Sequence, residues 1–246
     1  RVRDQSKNTL KNFYRTYTMS RTLFIPVSIL DGFFEDPEEV REYADTLEYT
    51  ASAGEWPGSR TNNLYELNPT LFTNISNTFL ALFSESIPIS YEANIVFQKI
   101  GKDFGEGWVH QDSDTLTGII YLNKGKEPCS NYGTSFYELK KTTSDIMPRL
   151  SELQTLKIKH NLEGGFKEYN RVTLENNSLY KKTIDVGGVF NRLVAFDSNI
   201  LHAANNYDGG LTEDRLTLAL FFKNIKFDVG GLPVPRAHSQ ILNYPR

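Results

Sequence analysis

The sequence predicts an α+β chain, mainly β, in which a β-sandwich or jelly roll is buttressed by helices on one side. Three observations carry this expectation. Two segments with helix-start signals stand early in the chain, at 36–49 and 69–87. Short β-branched or aromatic runs then follow, separated by Gly, Asn and Asp: YEANIVFQKIG (91–101), TGIIYLN (117–123), GTSFYELK (133–140), VFNRLVAFD (189–197) and RLTLALFFKNI (215–225). Finally, 246 residues with 39% hydrophobic and 13% aromatic content suffice for the core of one large domain, or of two small ones at most.

The elements can be taken in chain order. RVRDQSKNTLKNFYRTYTM lacks a clear period, so residues 1–22 read as a mobile N-terminal arm, and 23–246 as a single domain. TLFIPVSILDGFF (23–34) reads as a strand. In DPEEVREYADTLEY (36–49), Asp36 caps a helix, Pro37 suits its first position, and Glu38 and Glu39 favour the positive end of its dipole. Val40, Tyr43, Ala44 and Leu47 recur at helical spacing. SAGEWPGSRTNNLYELN (52–68) is turn-rich around Pro57-Gly58, and Asn68 caps the second helix. Segment 139–183 interrupts the strands. It has mixed helical and polar character, and LEGGFKEYNRVTLENNSLYKK suggests a hairpin, so it reads as an insertion between core strands.

Composition excludes several classes. A net charge of −3 offers no basic field for nucleic acid or an anionic membrane surface, although residues 1–20 and the insertion are each locally +4. No apolar run reaches the length of a membrane span, and no secretory signal stands out. The single cysteine, Cys129, rules out an internal disulfide framework and fits a reducing compartment, hence the cytoplasm.

Chemistry concentrates in GEGWVHQDSDTLTGIIYLN (105–123). The chain has only four histidines, and His110 stands two residues before Asp112, ahead of an apolar strand. Residues i and i+2 of an extended strand share a face. Alone, this is a satisfied polar pair at a strand start. His202, in FNRLVAFDSNILHAANN, follows another apolar strand, whereas His160 lies in the insertion and His238 in the C-terminal tail. Two histidines and one carboxylate form the facial set that holds non-haem Fe(II) and leaves positions open. Asp114 shares strand parity with Asp112 and is the rival ligand. Asp112 is preferred because i+2 holds it closer.

The order His-x-Asp, a distant His, then an Arg opening the next strand resembles the 2-oxoglutarate/Fe(II)-dependent dioxygenases, particularly their prolyl-hydroxylase-like branch. IPVSILDGFFEDPEEVREYA, HQDSDTLTGIIYLN, GTSFY and RLVAFDSNILHAANN…RLTLALFF carry the resemblance, over roughly 23–138 and 186–225. With WPGSRT, the chain is also similar to oxygenase-like proteins of marine phage genomes, which implies a host cytoplasm. The resemblance implies a double-stranded β-helix with the N-terminal helices packed on one sheet. It implies Fe(II) on His110, Asp112 and His202. It further implies 2-oxoglutarate chelating the iron, its distal carboxylate held by Arg215 with Tyr121 beside it, and O₂ as the second cosubstrate. Arginine suits that role because its planar fork stays charged and binds carboxylates bidentately. His202 to Arg215 is longer than such domains often show, and NNYDGGLTED absorbs the difference as a loop. The implied reaction is hydroxylation of an unidentified substrate, for example a peptidyl proline, with release of succinate and CO₂.

Substrate contacts are expected from Trp56, Arg60 and Thr61 in the WPGSRT loop, from Arg192, and from Tyr137 on the strand after the first metal strand. The loop and the insertion are expected to form opposite walls of an open groove. A function of a different class is a catalytically silent jelly-roll module, such as a phage accessory protein. A cupin-like metal enzyme would not need Arg215.

Overall fold

Parity along the strands decides the architecture. A computed structural model describes residues 25–52, 55–84, 88–124, 129–140, 143–163, 165–208 and 211–227. The expected arm at 1–22 and His238 lie outside them. The described residues form β1 (Val27–Asp31), α1 (Pro37–Asp45), β2 (Thr50–Ala51), β3 (Ser59–Arg60), α2 (Leu64–Leu67), α3 (Pro69–Ala81), β4 (Pro88–Ile100) and β5 (Leu116–Tyr121). Then come β6 (Cys129–Leu139), α4 (Thr143–Leu162), α5 (Phe166–Asn177), β7 (Tyr180–Gly188), β8 (Arg192–Asp197), β9 (His202–Ala204) and β10 (Arg215–Phe227).

Two antiparallel sheets result, a large one in the order β1-β8-β5-β10-β4-β3-β2 and a small one in the order β7-β6-β9. The chain passes repeatedly from one to the other, as a jelly roll does. On β10, Leu216, Leu218, Leu220 and Phe222 face outward and join Val40 and Ala44 of α1 and Phe72, Ile75 and Phe79 of α3 in the main core. The helix caps expected at Asp36 and Asn68 are present, each side chain accepting from the backbone N–H three residues on. Phe79 stacks on Phe222 with ring centroids 4.8 Å apart. This approach requires Gly118, where a Cβ would lie 2.7 Å from the Phe79 ring.

The opposite face of the large sheet meets the small sheet. Tyr121, Val194 and Phe196 pack there against Tyr132, Phe136 and Val186. Residues of β10 with the other parity, Arg215, Thr217, Ala219 and Phe221, point into this interior, because alternate side chains of a strand take opposite faces.

Segment 139–183 differs from expectation. Its hairpin is helical: α4 and α5 pack together, with Leu150 and Leu153 buried on one and Tyr169, Val172, Thr173 and Asn176 on the other. The spacing of 169, 172, 173 and 176 is one helix face. Pro148 inside α4 weakens its signal in the sequence. Among the described residues, no helix is long and apolar enough to cross a membrane.

Candidate metal centre and its cavity

Three ligand atoms converge where the two sheets meet. His110 and His202 form an antiparallel bridge in which each N–H donates to the other's carbonyl, at 3.0 and 2.9 Å. Their rings lie 4.4 Å apart. Asp112 follows, its N–H held by the Ser198 carbonyl at 2.9 Å. One ligand atom from each of His110, Asp112 and His202 lies within 4.8 Å of the others. The Nε2 atoms of His110 and His202 stand 3.4 Å from Oδ1 and Oδ2 of Asp112 respectively.

Hydrogen bonds behind the rings set their tautomers. Nδ1 of His110 lies 2.7 Å from the Trp108 carbonyl, and Nδ1 of His202 lies 2.8 Å from the Ile200 carbonyl. A carbonyl only accepts, so both Nδ1 atoms carry the proton and both Nε2 lone pairs face Asp112 in the neutral rings. Loss of hydration, then the adjacent His202, lower the His110 pKa and favour the neutral ring. The accessible part of the His110 side chain lines the cavity. Burial would raise the Asp112 pKa, but charge and a proton on the imidazole Nε2 atoms would hold it well below the usual carboxylate range, and a divalent metal would take the place of those protons. Thr117 Oγ1 donates to Asp112 Oδ2 at 3.0 Å and accepts from Ser198 Oγ at 2.9 Å. The donor set is therefore two Nε2 atoms and one carboxylate, fixed from behind. This set fits a divalent metal with open positions.

The insertion braces this strand from outside. Asn177 accepts from the Val109 N–H at 3.0 Å and donates to the Gly107 carbonyl at 2.8 Å, while Asn176 donates to the Val109 carbonyl at 3.2 Å. Gly107 is required by the close approach of β9, since a Cβ would lie 2.6 Å from the Ala204 nitrogen.

A cavity of about 840 Å³ opens over the triad. Arg215 lines it and is only 4% exposed, yet its Nε has no hydrogen-bond partner among the described residues. Its guanidinium carbon stands 5.5 Å from the Tyr121 ring and 5.8 Å from the Tyr207 ring. Asn123 fixes the backbone on either side of it, donating to the Asp214 carbonyl at 2.9 Å and accepting from the Leu216 N–H at 2.7 Å. Tyr121 is fully buried and its hydroxyl pairs with Thr134 at 2.7 Å. Asp114 also lines the cavity but does not belong to the convergent triad.

Among the expected substrate residues, Trp56 and Arg60 line the cavity, with the Arg60 guanidinium 4.3 Å from the Trp56 ring. The other three do not line it. Arg192 grips both oxygens of Asp31 on β1, at 2.5 and 2.9 Å, and donates to the Gly187 carbonyl at 3.0 Å. Thr61 accepts from the Phe97 N–H at 3.1 Å and caps the strand edge. Tyr137 packs with Val109, Leu150 and Leu201, and burial pushes its phenol up to about 12.

The loop and the insertion do not face each other as opposite walls. Lys157 and Asn161 of α4 donate to the carbonyls of Glu55 and Trp56, at 2.8 and 2.7 Å, so the two form one continuous wall. The sequence reading passed over Lys157, Gln154, Tyr207 and Asn123. For Lys157 a signal existed, because it falls on the stripe begun by Leu150 and Leu153 at i+3 and i+7.

Residues 109–222 match a family described only as one of unknown function, DUF6445. No curated protein matches the sequence. Among solved structures, HygX from Streptomyces hygroscopicus with nickel and 2-oxoglutarate bound is 12% identical, with a TM-score of 0.52 over 89% of this chain and 95% of that one. The same protein with nickel, 2-oxoglutarate and hygromycin B bound is 11% identical, with a TM-score of 0.53 over 88% and 94%. A Pseudomonas putida prolyl-4-hydroxylase reaches only 0.40 at 14% identity, over 81% and 92%, and carries no argument about substrate. The chain shares the fold of HygX, so the superfamily resemblance read from its sequence holds at the level of the fold.

Proposed function

We propose that this chain is a 2-oxoglutarate- and Fe(II)-dependent oxygenase built on a double-stranded β-helix. In this reading His110, Asp112 and His202 hold the metal, and Arg215 holds the distal carboxylate of 2-oxoglutarate. The observation that carries it is the convergence of two imidazole Nε2 atoms and one carboxylate in a cavity shared with a buried arginine whose Nε lacks a partner among the described residues. Stranding a polar donor in a protein interior costs roughly 1–3 kcal/mol, so a buried arginine with an open Nε is best explained by a ligand.

The bound iron would supply the redox chemistry, consuming O₂ and 2-oxoglutarate and yielding succinate, CO₂ and an oxygenated substrate. The chain does the remainder. The Trp108 and Ile200 carbonyls hold the proton on both Nδ1 atoms and aim the two rings. Thr117 steadies one carboxylate oxygen of Asp112 and leaves the other free to bind. Tyr121 and Tyr207 flank the Arg215 guanidinium and keep water from it. Trp56, Trp108 and Phe221 give the cavity apolar walls against which a substrate is held.

The test is anaerobic titration of the protein with Mn(II) and then with 2-oxoglutarate by calorimetry, followed by aerobic assay of succinate with Fe(II). Metal-dependent 2-oxoglutarate binding and slow uncoupled succinate release are expected. Absence of 2-oxoglutarate binding to the metal-loaded protein would overturn the reading. Binding of both without any succinate would support the silent module instead.

A further inference from the structure

We propose that Arg60 and Lys157 form a second anion site in the cavity, taking a carboxylate or phosphate group carried by the substrate. Calling that ligand the substrate rests on the oxygenase reading, whereas the anion site itself does not.

Lys157 is only 6% exposed, although lysine is among the residues least often buried without a partner. Its ammonium group has three donors. One goes to the Glu55 carbonyl at 2.8 Å, and the charge stands 5.2 Å from the centre of the Trp108 ring. Arg60 is held on β3 with its guanidinium over Trp56 at 4.3 Å and near Phe221 at 5.4 Å. Its Nε is buried without a hydrogen-bond partner among the described residues. No described carboxylate comes within ion-pair reach of either cation. Desolvation lowers the pKa of Arg60 to about 10 and that of Lys157 to about 8, and in Lys157 the Arg60 charge adds to the effect. Two cations thus line one cavity, dehydrated and close enough to oppose each other.

No other charge of the cavity pairs with them directly, and Asp114 in the lining makes an ion pair with neither. Lys223 and Glu92 pair with each other at 3.1 Å on the exposed edge. Asp112 belongs to the metal set, and with metal and cosubstrate in place its charge is balanced there together with that of Arg215. Glu55 is exposed and favours both cations from a distance. An oxyanion between Arg60 and Lys157 would satisfy the open donors and relieve the repulsion. Trp56 and Trp108 would bracket the body of the same molecule. Arg60 and Lys157 line the same cavity as His110, Asp112 and His202. A substrate held by its anionic group would therefore reach the triad.

The chain's two tryptophans, Trp56 and Trp108, each carry one of these cations on a ring, so intrinsic fluorescence reads the site directly. The experiment titrates phosphate, benzoate and phenyl phosphate, at constant ionic strength, into the apoprotein and into protein loaded with Ni(II) and 2-oxoglutarate. A saturable change is expected, tightest for phenyl phosphate. Arg60→Gln and Lys157→Met should each weaken it about tenfold or more, as loss of a charged hydrogen-bond donor does. Arg215→Gln should leave it unchanged while losing 2-oxoglutarate. If no anion saturates the wild-type protein at tens of millimolar, the proposal falls, whatever the variants do. It falls equally if Arg60→Gln abolishes 2-oxoglutarate binding, since Arg60 would then hold the cosubstrate. If the anions titrate but neither metal nor 2-oxoglutarate binds, the anion site stands and the oxygenase reading falls.

Discussion

The two ends of the cavity are built on different principles. At the metal end every functional group stands on a strand or next to one, and hydrogen bonds behind it fix its direction. His110 and His202 are bridged through their backbones, Asp112 is tied to Ser198, and Arg215 opens β10 between two bonds from Asn123. At the rim, Arg60 and Lys157 come from a loop-flanked strand and an inserted helix, joined by two bonds to loop carbonyls. The metal end belongs to the sheet, so any chain with this fold and these residue types could form it. The rim belongs to the loops of this chain. Chemistry is therefore to be sought in the first and selectivity in the second.

The strongest way to break that division is to remove a strand-borne ligand. His202→Ala should lower Mn(II) affinity by roughly 100-fold or more, because two ligands hold a divalent ion far less well than three. The fold should survive, since the bridge to His110 uses only backbone atoms. Calorimetry and circular dichroism check both halves. Next in size, Arg215→Lys should weaken 2-oxoglutarate about tenfold or more while leaving metal affinity within a few-fold. The charge remains, but the planar fork is lost. An equal loss of both would mean that Arg215 supports the triad instead of the cosubstrate.

The same division explains what could be read from the sequence. His110, Asp112, His202 and Arg215 stood out because their residue types are chemically unusual beside apolar strands. Period-two alternation places Arg215 and Phe221 on one face of β10. The helices on the outer sheet face were legible from Asp36, Pro37 and Asn68. The rim was not legible, because its meaning lies in a contact between Glu55 and Lys157, 102 residues apart. No local pattern encodes such a contact. The helical nature of 143–177 was hidden by Pro148 and a polar composition. Arg192 was expected to face substrate, but Asn191 holds a left-handed turn with φ of 63° that delivers Arg192 to Asp31 across β1 and β8. Tyr137 and Thr61 illustrate a limit of motif reading, since proximity in sequence to cavity residues did not bring them into the cavity.

A smaller effect sharpens the comparison from the insertion's side. Asn177→Ala removes an acceptor from the Val109 N–H and a donor from the Gly107 carbonyl, both just ahead of His110. Stability should fall by roughly 1–2 kcal/mol, the cost of unsatisfied part-buried backbone groups. Metal affinity should fall only a few-fold, because the ligands themselves keep their bonds. Chemical denaturation and Mn(II) calorimetry separate the two. A loss of metal affinity as large as that of His202→Ala would show the division to be drawn in the wrong place, with the insertion belonging to the metal end.

An effect of similar size has the opposite sign. Lys157 sits on the stripe that Leu150 and Leu153 begin, and burial lowers its pKa from 10.5 to about 8. The unfolded chain therefore binds its proton more tightly than the folded one does, and the wild type carries an electrostatic penalty at neutral pH. That penalty is complete below about pH 8 and disappears as the pH rises through the unfolded value of 10.5. Lys157→Met keeps the length and removes the charge, at the loss of one hydrogen bond to Glu55. It should thus gain roughly 1–2 kcal/mol at pH 7, a rise in Tm of several degrees at most. The gain should shrink steadily between pH 8 and pH 10.5 and leave only the cost of the lost bond above it. Thermal melts of both proteins across that range decide the matter. A variant less stable than wild type at pH 7 would mean that the lysine holds the loop together, and that its burial serves the fold. A more stable variant that no longer binds anions would mean that the chain keeps a destabilising charge at the rim for the sake of its ligand.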